Sequence, residues 1–180
     1  GEAYGGNKVR KLEFVLAQAQ RDGRKEVLTF GGTGSNHALA TAIYAHQLGM
    51  RSISVLMPQP SSPGVRRSLL MSHRCGAELH LVDGPEDLSP AAERICAEHE
   101  DRLGMAPMVI PTGGSSVLGT VGSVSAAFEL KAQIDAGDMP VPDAVYVALG
   151  SMGTAMGLLL GLRALRLPTE VVAVRVVRTS

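Results

Sequence analysis

The sequence is poor in aromatic residues and has no excess of charge of either sign. Tyrosine and phenylalanine occur three times each, tryptophan does not occur, and aromatic residues make up 3% of the 180 positions. Seventeen basic residues balance seventeen acidic ones, so the formal net charge is zero. Proteins that bind nucleic acid usually carry a basic excess, and those that bind single strands offer aromatic rings to the bases. Both classes are therefore disfavoured.

Long hydrophobic runs and cysteines are also scarce. The longest apolar stretch, around 155–162, contains two glycines, and no stretch reaches the roughly 20 residues that a membrane span needs. Two cysteines, Cys75 and Cys96, are too few for a disulfide framework. The first residues also lack the basic and apolar segments of a secretory signal. We therefore expect a cytoplasmic protein with reduced thiols and no association with membranes.

Apolar residues and glycine are plentiful. Apolar residues make up 45% of the sequence, which is enough to build a folded core. Of the 21 glycines, nine lie in four clusters, at 5–6, 31–34, 113–114 and 150–153. Glycine clusters allow tight turns whose main-chain N–H groups can approach a small anionic ligand.

Apolar periodicity alternates between helices and short strands. It predicts helices over 7–20, 36–48, 64–74, 90–103, 121–134 and 154–165, and strands over 26–30, 51–57, 78–82, 108–110, 144–149 and 170–177. This alternation predicts an α/β fold of open parallel sheets with flanking helices. The runs 27–30, 53–57, 145–149 and 171–177 are almost wholly apolar, which predicts strands buried on both faces. We expect two lobes, one formed by 23–112 and a larger one by 1–22 together with 113–180.

The first candidate motif is Gly5-Gly6-Asn7-Lys8 at the start of the first helix. Asn7 can serve as the N-cap, which puts Lys8 at the first helical position and Lys11 on the same face. The helix dipole disfavours a lysine there unless its amine forms a Schiff base or faces an anion. The alternative is an exposed basic helix start.

Two glycine turns each connect a strand to a helix. The first, Gly31 to His37, ends in Ser35 and Asn36, either of which can cap the following helix. The second covers 150–157 and is neither a Walker A loop nor a clean dinucleotide fingerprint. Both are candidate anion sites because helix N-termini present unpaired N–H groups. The alternative for each is an ordinary tight turn.

Two short pairs of residues are candidate metal ligands. His73 and Cys75 form one pair, and Cys96 and His99 form the other. These are zinc-ligand types, but 96 and 99 lie on a helix predicted to have a polar outer face. Surface histidines beside buried thiols are the favoured interpretation, and no metal site is predicted.

Together the motifs resemble a known enzyme family. Gly-Gly-Asn-Lys-x-Arg-Lys-Leu-Glu at 5–13, followed by Gly-Gly-x-x-Ser-Asn-His at 31–37, is similar to the fold-type II pyridoxal-phosphate (PLP) enzymes. The similarity is to the group of D-cysteine desulfhydrase and 1-aminocyclopropane-1-carboxylate (ACC) deaminase. Pro-x-Gly-Gly-Ser at 111–115 and the turn at 150–157 follow in the expected order. The resemblance implies a tryptophan synthase β-like fold, here incomplete at both ends, a PLP cofactor and a homodimer.

The resemblance also implies roles for residues of the first two motifs. Lys8 matches the catalytic lysine that binds the cofactor covalently and moves the substrate α-proton, and Lys11 matches a residue near the cofactor phosphate. Asn36 matches the asparagine that hydrogen-bonds the cofactor's phenolic oxygen. Ser35 matches a serine at the substrate carboxylate and near the proton path, so it is a second catalytic candidate. Ser35, Asn36 and His37 are the implied substrate-binding residues.

The phosphate site is implied to lie at the last glycine turn. Gly150, Ser151, Gly153 and Thr154 match the family's phosphate-binding loop. Met152 departs from the pattern, because many relatives have glycine there. If this position requires a positive φ, methionine is strained in it.

The expected function is a PLP-dependent lyase or deaminase that acts on a small amino acid. It would remove the α-proton and eliminate from a D-cysteine-like substrate, or open the ring of a cyclopropane amino acid. One alternative is a non-catalytic truncated homologue that keeps the fold and anion binding. Another is a nicotinamide-dependent oxidoreductase. That class needs a Gly-x-Gly-x-x-Gly turn after a strand and an acidic residue on the second strand, and the sequence matches neither feature clearly.

Overall fold

The computed structural model of the chain describes residues 4–176. The chain divides into two compact units, Gly1–Gly114 and Ser115–Ser180. The α/β class and the parallel sheets with flanking helices are confirmed in both units. The predicted end of the last strand, Val177, lies outside the described residues.

The first unit contains a four-stranded parallel sheet of order β3-β2-β1-β4. Its strands are β1 Glu26–Gly32, β2 Arg51–Met57, β3 Glu78–Leu81 and β4 Met108–Ile110. Its helices are α1 Asn7–Arg21, α2 Asn36–Gln47, α3 Pro63–Arg74 and α4 Leu88–Leu103, with short 3-10 turns at Pro85–Asp87 and Thr112–Gly114. Because the strands are parallel, their carboxyl ends lie at the same edge of the sheet. The glycines that follow β1 and β4 are therefore at that edge.

The core of the first unit lies on both faces of its sheet. Val27 of β1 packs with Leu12 and Leu16 of α1, whereas the next residue, Leu28, packs with Ile95 of α4. Successive strand residues point to opposite faces, which is why neighbours in β1 join different clusters. The predicted apolar face of α1 and the burial of β1 and β2 on both faces are confirmed.

The first helix packs into this core. The residues that α1 buries share a cluster with β1, α2 and β4. The assignment of 1–22 and 113–180 to one larger PLP-binding lobe remains a prediction. No helix in the described part of the chain is long and apolar enough to cross a membrane.

The prediction of a surface histidine at position 99 is wrong. His99 is 3% exposed, and its Nδ1 lies 2.6 Å from Oε2 of Glu26, which is itself 3% exposed. A carboxylate only accepts, so Nδ1 is the protonated nitrogen that donates. Contacts of His99 with Glu26 of β1 and Glu78 of β3 enclose a residue that the sequence pattern put on the polar side of α4. Cys75 and Cys96 are half-buried thiols rather than buried ones.

The second unit contains a two-stranded parallel sheet and two helices. Its elements are α5 Val117–Asp135, β5 Ala144–Leu149, α6 Gly153–Ala164 and β6 Glu170–Arg175. Helix α5 begins four residues earlier than predicted because the Ser116 hydroxyl accepts a hydrogen bond from the Gly119 N–H at 3.0 Å.

The sequence pattern predicted that both strands of the second unit are buried on both faces. That prediction is wrong. Tyr146 of β5 is 73% exposed and Val174 of β6 is 49% exposed. Within the described unit each strand has a single neighbour, so the sheet has little surface to enclose these side chains. An apolar run by itself does not show how many layers cover a strand.

Helices α5 and α6 pack closely through small residues. A Cβ atom on Gly157 would lie 2.5 Å from the Cβ of Ser123 and 2.6 Å from the carbonyl oxygen of Thr120. A Cβ on Gly161 would lie 2.5 Å from the Cβ of Ala127. The Gly157 that the sequence assigned to a ligand-binding turn therefore serves helix packing.

We expect Gly157→Ala to lower the free energy of unfolding by about 1–3 kcal/mol, because the neighbouring backbone must move apart. A better helix propensity offsets at most about 1 kcal/mol of this loss. Gly64→Ala in α3 is the matched control, since the nearest atom to its Cβ is 3.7 Å away. Urea unfolding should show a loss for Gly157→Ala alone. Equal stabilities of the two variants would contradict close packing of α5 on α6.

Candidate active site

The start of α1 carries the first motif. Gly6, not Asn7, is the N-cap, with φ 100, and Asn7 is the first helical residue. The prediction of an Asn7 cap is therefore wrong, because only the glycine readily adopts the positive φ at which the chain enters the helix. Lys8 follows as the second helical residue, and the first turn contains no acidic residue.

Two amines lie on the same part of α1. Lys11 is 1% exposed, and its Nζ donates to the carbonyl oxygen of Gly113 at 3.3 Å. Burial, together with the charge of Lys8, lowers the pKa of Lys11 to about 8. Burial also lowers the pKa of Lys8. A lowered pKa makes the neutral, nucleophilic amine accessible at moderate pH.

The buried lysine predicts a pH-dependent stability of the cofactor-free chain. The pKa of Lys11 falls from 10.5 to about 8 on folding, so between these values the unfolded chain binds more protons. The free energy of unfolding should therefore rise as the pH increases from about 8 to 10.5. Lys11→Met has no buried charge, so its stability advantage over the wild type should shrink across this window. An unchanged difference between the two proteins in urea titrations would contradict a depressed Lys11 pKa.

The second motif joins β1 to α2 at the same edge of the sheet. Ser35 is the cap, since its Oγ accepts from the Ala38 N–H at 3.2 Å. A Cβ on Gly31 would lie 2.6 Å from Ser35 Oγ, so this turn requires glycine. The structure thus decides between the two predicted caps and places the Ser35 hydroxyl at the start of α2.

Asn36 is the first residue of α2 and is exposed. Its Oδ1 accepts a hydrogen bond from the Tyr4 hydroxyl at 3.0 Å. The Tyr44 hydroxyl donates in turn to the carbonyl oxygen of Tyr4. Sequence reasoning missed both tyrosines, because no motif links them to the turn at 31–37.

His37 lies below this turn and is 3% exposed. Its Nε2 is 2.9 Å from Thr29 Oγ1, and that hydroxyl donates to the carbonyl oxygen of Ile110 at 3.0 Å. Thr29 therefore accepts from His37, which places the ring hydrogen on Nε2. Within the described residues, the buried Nδ1 has no hydrogen-bond partner.

Electrostatics keep the His37 ring neutral. Burial, then the charges of Lys8 and Lys11, lower its pKa to about 4. Gly114, at φ 66, closes the cluster, because its Cβ would lie 3.2 Å from His37 Cε1 and 3.5 Å from Lys11 Cβ. The first unit thus brings two motifs and the glycines after β4 together around the buried Lys11 and the half-buried Lys8.

The second unit contains the last predicted motif, between β5 and α6. Met152 is the N-cap of α6 with φ 64, and it makes no side-chain capping bond. The predicted strain at this position is confirmed, since a methionine occupies the left-handed region. Ser115 Oγ donates to Ser151 Oγ at 2.8 Å, and the Gly153 N–H donates to the Ser151 carbonyl. A helix start without a side-chain cap is suited to an anion.

Comparison with known proteins identifies the family. A family model described as "Pyridoxal-phosphate dependent enzyme" matches residues 2–180. The chain belongs to this family. Pyridoxal phosphate is accordingly the cofactor of the proteins it groups with.

Relatives within the PLP-dependent enzyme family are named for several different activities. The bifunctional D-cysteine desulfhydrase/ACC deaminase, mitochondrial, of Arabidopsis thaliana is 38% identical over 89% of this chain and 42% of its own length. Nocardicin C-9' epimerase of Nocardia uniformis is 39% identical over 98% of this chain and 54% of its own. A crystal structure of an ACC deaminase homologue superposes with a TM-score of 0.85 at 38% identity, covering 98% of this chain and 52% of that one. The chain spans about half the length of the curated relatives it matches.

Each unit, taken by itself, contains residues that fit one part of the family's cofactor. The aldehyde of PLP requires an amine that can lose its proton, and burial lowers the pKa of Lys8. Its phosphate requires hydrogen-bond donors, and the start of α6 carries the hydroxyl side chains of Ser151 and Thr154 and has no side-chain cap from Met152.

Proposed function

We propose that this chain acts as a PLP-dependent lyase or deaminase on a small amino acid, with chemistry like that of D-cysteine desulfhydrase or ACC deaminase. The observation that carries the proposal is Lys8, an amine whose pKa burial lowers, at the start of α1 beside the buried Lys11. The names of the relatives support the substrate class.

Lys8 is the proposed covalent attachment point and the group that moves the α-proton. Both tasks require its neutral form, which burial favours. When bound, PLP would supply an electron sink for negative charge at the substrate α-carbon. Lys11 would balance phosphate charge near the site.

The start of α2 supplies the proposed substrate contacts. The Ser35 hydroxyl accepts from the Ala38 N–H and retains its own hydrogen for a substrate carboxylate. Asn36 would donate to the phenolic oxygen of the cofactor. Because His37 is almost fully buried, its share in substrate binding would be to support the backbone of the turn through Thr29.

The start of α6 is the proposed phosphate site. Gly150, Ser151, Gly153 and Thr154 would surround the phosphate, with the glycines giving room for its close approach and the two hydroxyl side chains contacting it. The support is that Met152, the N-cap of α6, makes no side-chain capping bond.

A cytoplasmic homodimer completes the proposal. The cysteines are not disulfide-bonded, which suits a reducing compartment. The Arabidopsis relative is named as mitochondrial, so fractionation of the native host is the measurement that decides the compartment. Sedimentation of the purified chain measures whether it forms the proposed homodimer.

The test of the proposed function is chemical mapping followed by turnover. The chain is mixed with PLP and reduced with borohydride, which fixes a cofactor bound through a lysine. Peptide mapping should then identify Lys8 among the four lysines of the sequence. Labelling of another lysine, or none, would refute the proposal.

Turnover separates the remaining candidates. Production of pyruvate from D-cysteine, or of a keto acid from ACC, supports the proposed lyase or deaminase. Exchange of the substrate α-hydrogen with solvent but no elimination would indicate epimerase chemistry, which the name of the Nocardia relative makes a specific alternative. Labelled Lys8 with neither reaction would indicate the non-catalytic homologue.

A further inference from the structure

The side-chain amide of Asn36 is held by a residue outside its own motif. Its Oδ1 accepts from the Tyr4 hydroxyl at 3.0 Å, across 32 positions of sequence. Asn36 is exposed at the first position of α2, so the other side of its amide faces outward from the unit. Tyr4 therefore contacts Asn36, the residue of this turn that is proposed to bind the phenolic oxygen of the cofactor.

Tyr4 is itself fixed in place. The Tyr44 hydroxyl, from the middle of α2, donates to the Tyr4 carbonyl oxygen. The ring of Tyr4 packs against the buried cluster that contains Leu12 and Leu16. Tyr4 is thus attached to α2 at two points, one at its backbone and one at its hydroxyl. Its position is set independently of any ligand.

The direction of the hydrogen bond determines what Asn36 presents. An asparagine side chain has one carbonyl acceptor and one NH2 donor group, which exchange places when the amide turns over. A hydroxyl that donates to Oδ1 leaves the Nδ2 hydrogens as the face presented to a ligand. With no donor at this point, the opposite orientation, which presents the carbonyl oxygen, becomes equally accessible. An oxygen that bears negative charge is stabilised by a donor and repelled by a carbonyl.

We propose that Tyr4 is a positioning residue, whose hydroxyl orients the Asn36 amide so that its NH2 group faces the phenolic oxygen of the cofactor. This inference rests on the proposed function for the identity of the ligand. It rests on Tyr4 and Tyr44 for the geometry. Tyr4 itself touches neither substrate nor cofactor in this role.

The first test is cofactor binding by Tyr4→Phe, which keeps the ring and its packing. We expect PLP to bind about fivefold more weakly, equivalent to about 1 kcal/mol for one hydrogen bond. The pH midpoint of the bound cofactor's visible absorption should also rise, because a donor to a negatively charged oxygen favours its deprotonated form. Tyr146→Phe is the control, since Tyr146 is 73% exposed on β5. If Tyr4→Phe matches the wild type in both affinity and midpoint, the inference is wrong.

The second test needs no cofactor. Nuclear Overhauser contacts between the Asn36 NH2 protons and the ring at position 4 should be weak in the wild-type chain, where the carbonyl faces that ring. They should strengthen in Tyr4→Phe, where the amide can turn over. Strong contacts in the wild type would overturn the inference. If the wild type binds no PLP, the proposed function fails, while this measurement still decides the orientation.

Discussion

Lys8→Ala is expected to abolish covalent PLP binding and to reduce turnover of the amino-acid substrate by about 10³-fold or more. A positioned proton-transfer group alone contributes about 10²–10⁴-fold, and this lysine has the attachment role as well. The effect follows from an amine with a pKa lowered by burial at the second position of α1. The visible absorption of the bound cofactor and the release of pyruvate from D-cysteine are the two measurements.

Two other lysines serve as controls for this result. Lys25 is exposed before β1, so Lys25→Ala should keep both the absorption and the turnover. Lys11→Arg keeps the positive charge beside Lys8 and should keep covalent attachment. If Lys8→Ala retained the absorption band, the attachment point would lie elsewhere and the proposed function would lose its main support.

Glu26→Ala is expected to lower the free energy of unfolding of the first unit by about 1–3 kcal/mol, because it leaves the buried His99 Nδ1–H without an acceptor. The Glu26 and His99 side chains are 2% and 4% exposed, and their contact joins β1 to the end of α4. Arg51 also lies 3.2 Å from Glu26, but its side chain is half exposed and keeps Glu78 as a partner, so it adds little to the loss. Urea unfolding followed by circular dichroism measures the loss.

An exposed ion pair on α4, the helix that carries His99, provides the comparison for Glu26. Glu98 pairs with Arg94 on the surface of α4, with both side chains more than half exposed. Glu98→Ala should cost only about 0.5 kcal/mol, because water replaces the lost partner. Glu26→Gln should fall between the two, since the amide oxygen can still accept from His99. A loss for Glu26→Ala as small as that for Glu98→Ala would contradict a buried pair.

The helices and strands of the first unit were predictable because their patterns are local. Leu12, Val15, Leu16 and Ala19 recur at helical spacing, and all four are buried on α1. The cap of α2 was predicted only as Ser35 or Asn36, and the structure shows that it is Ser35. Such features depend on a few neighbouring residues and on backbone geometry that those residues favour.

The features that were missed depend on backbone angles or on distant partners. The N-cap of α1 falls on Gly6 because of its positive φ, which Asn7 as a favoured capping residue concealed. His99 is buried by a glutamate 73 positions earlier. Tyr4 reaches Asn36 across 32 positions. A single sequence contains no periodic signal for such pairs.

The strand order of the first sheet has a consequence for synthesis on the ribosome. Leu28 in β1 pairs on one side with Ile53 in β2 and on the other with Val109 in β4. The first neighbour, β2, emerges after one helix, α2, but the second, β4, emerges only after two more, α3 and α4. A growing polypeptide therefore carries one unpaired edge of its central strand through most of the translation of this unit, when edges of this kind are open to aggregation. That edge closes only once Met108–Ile110 has left the exit tunnel.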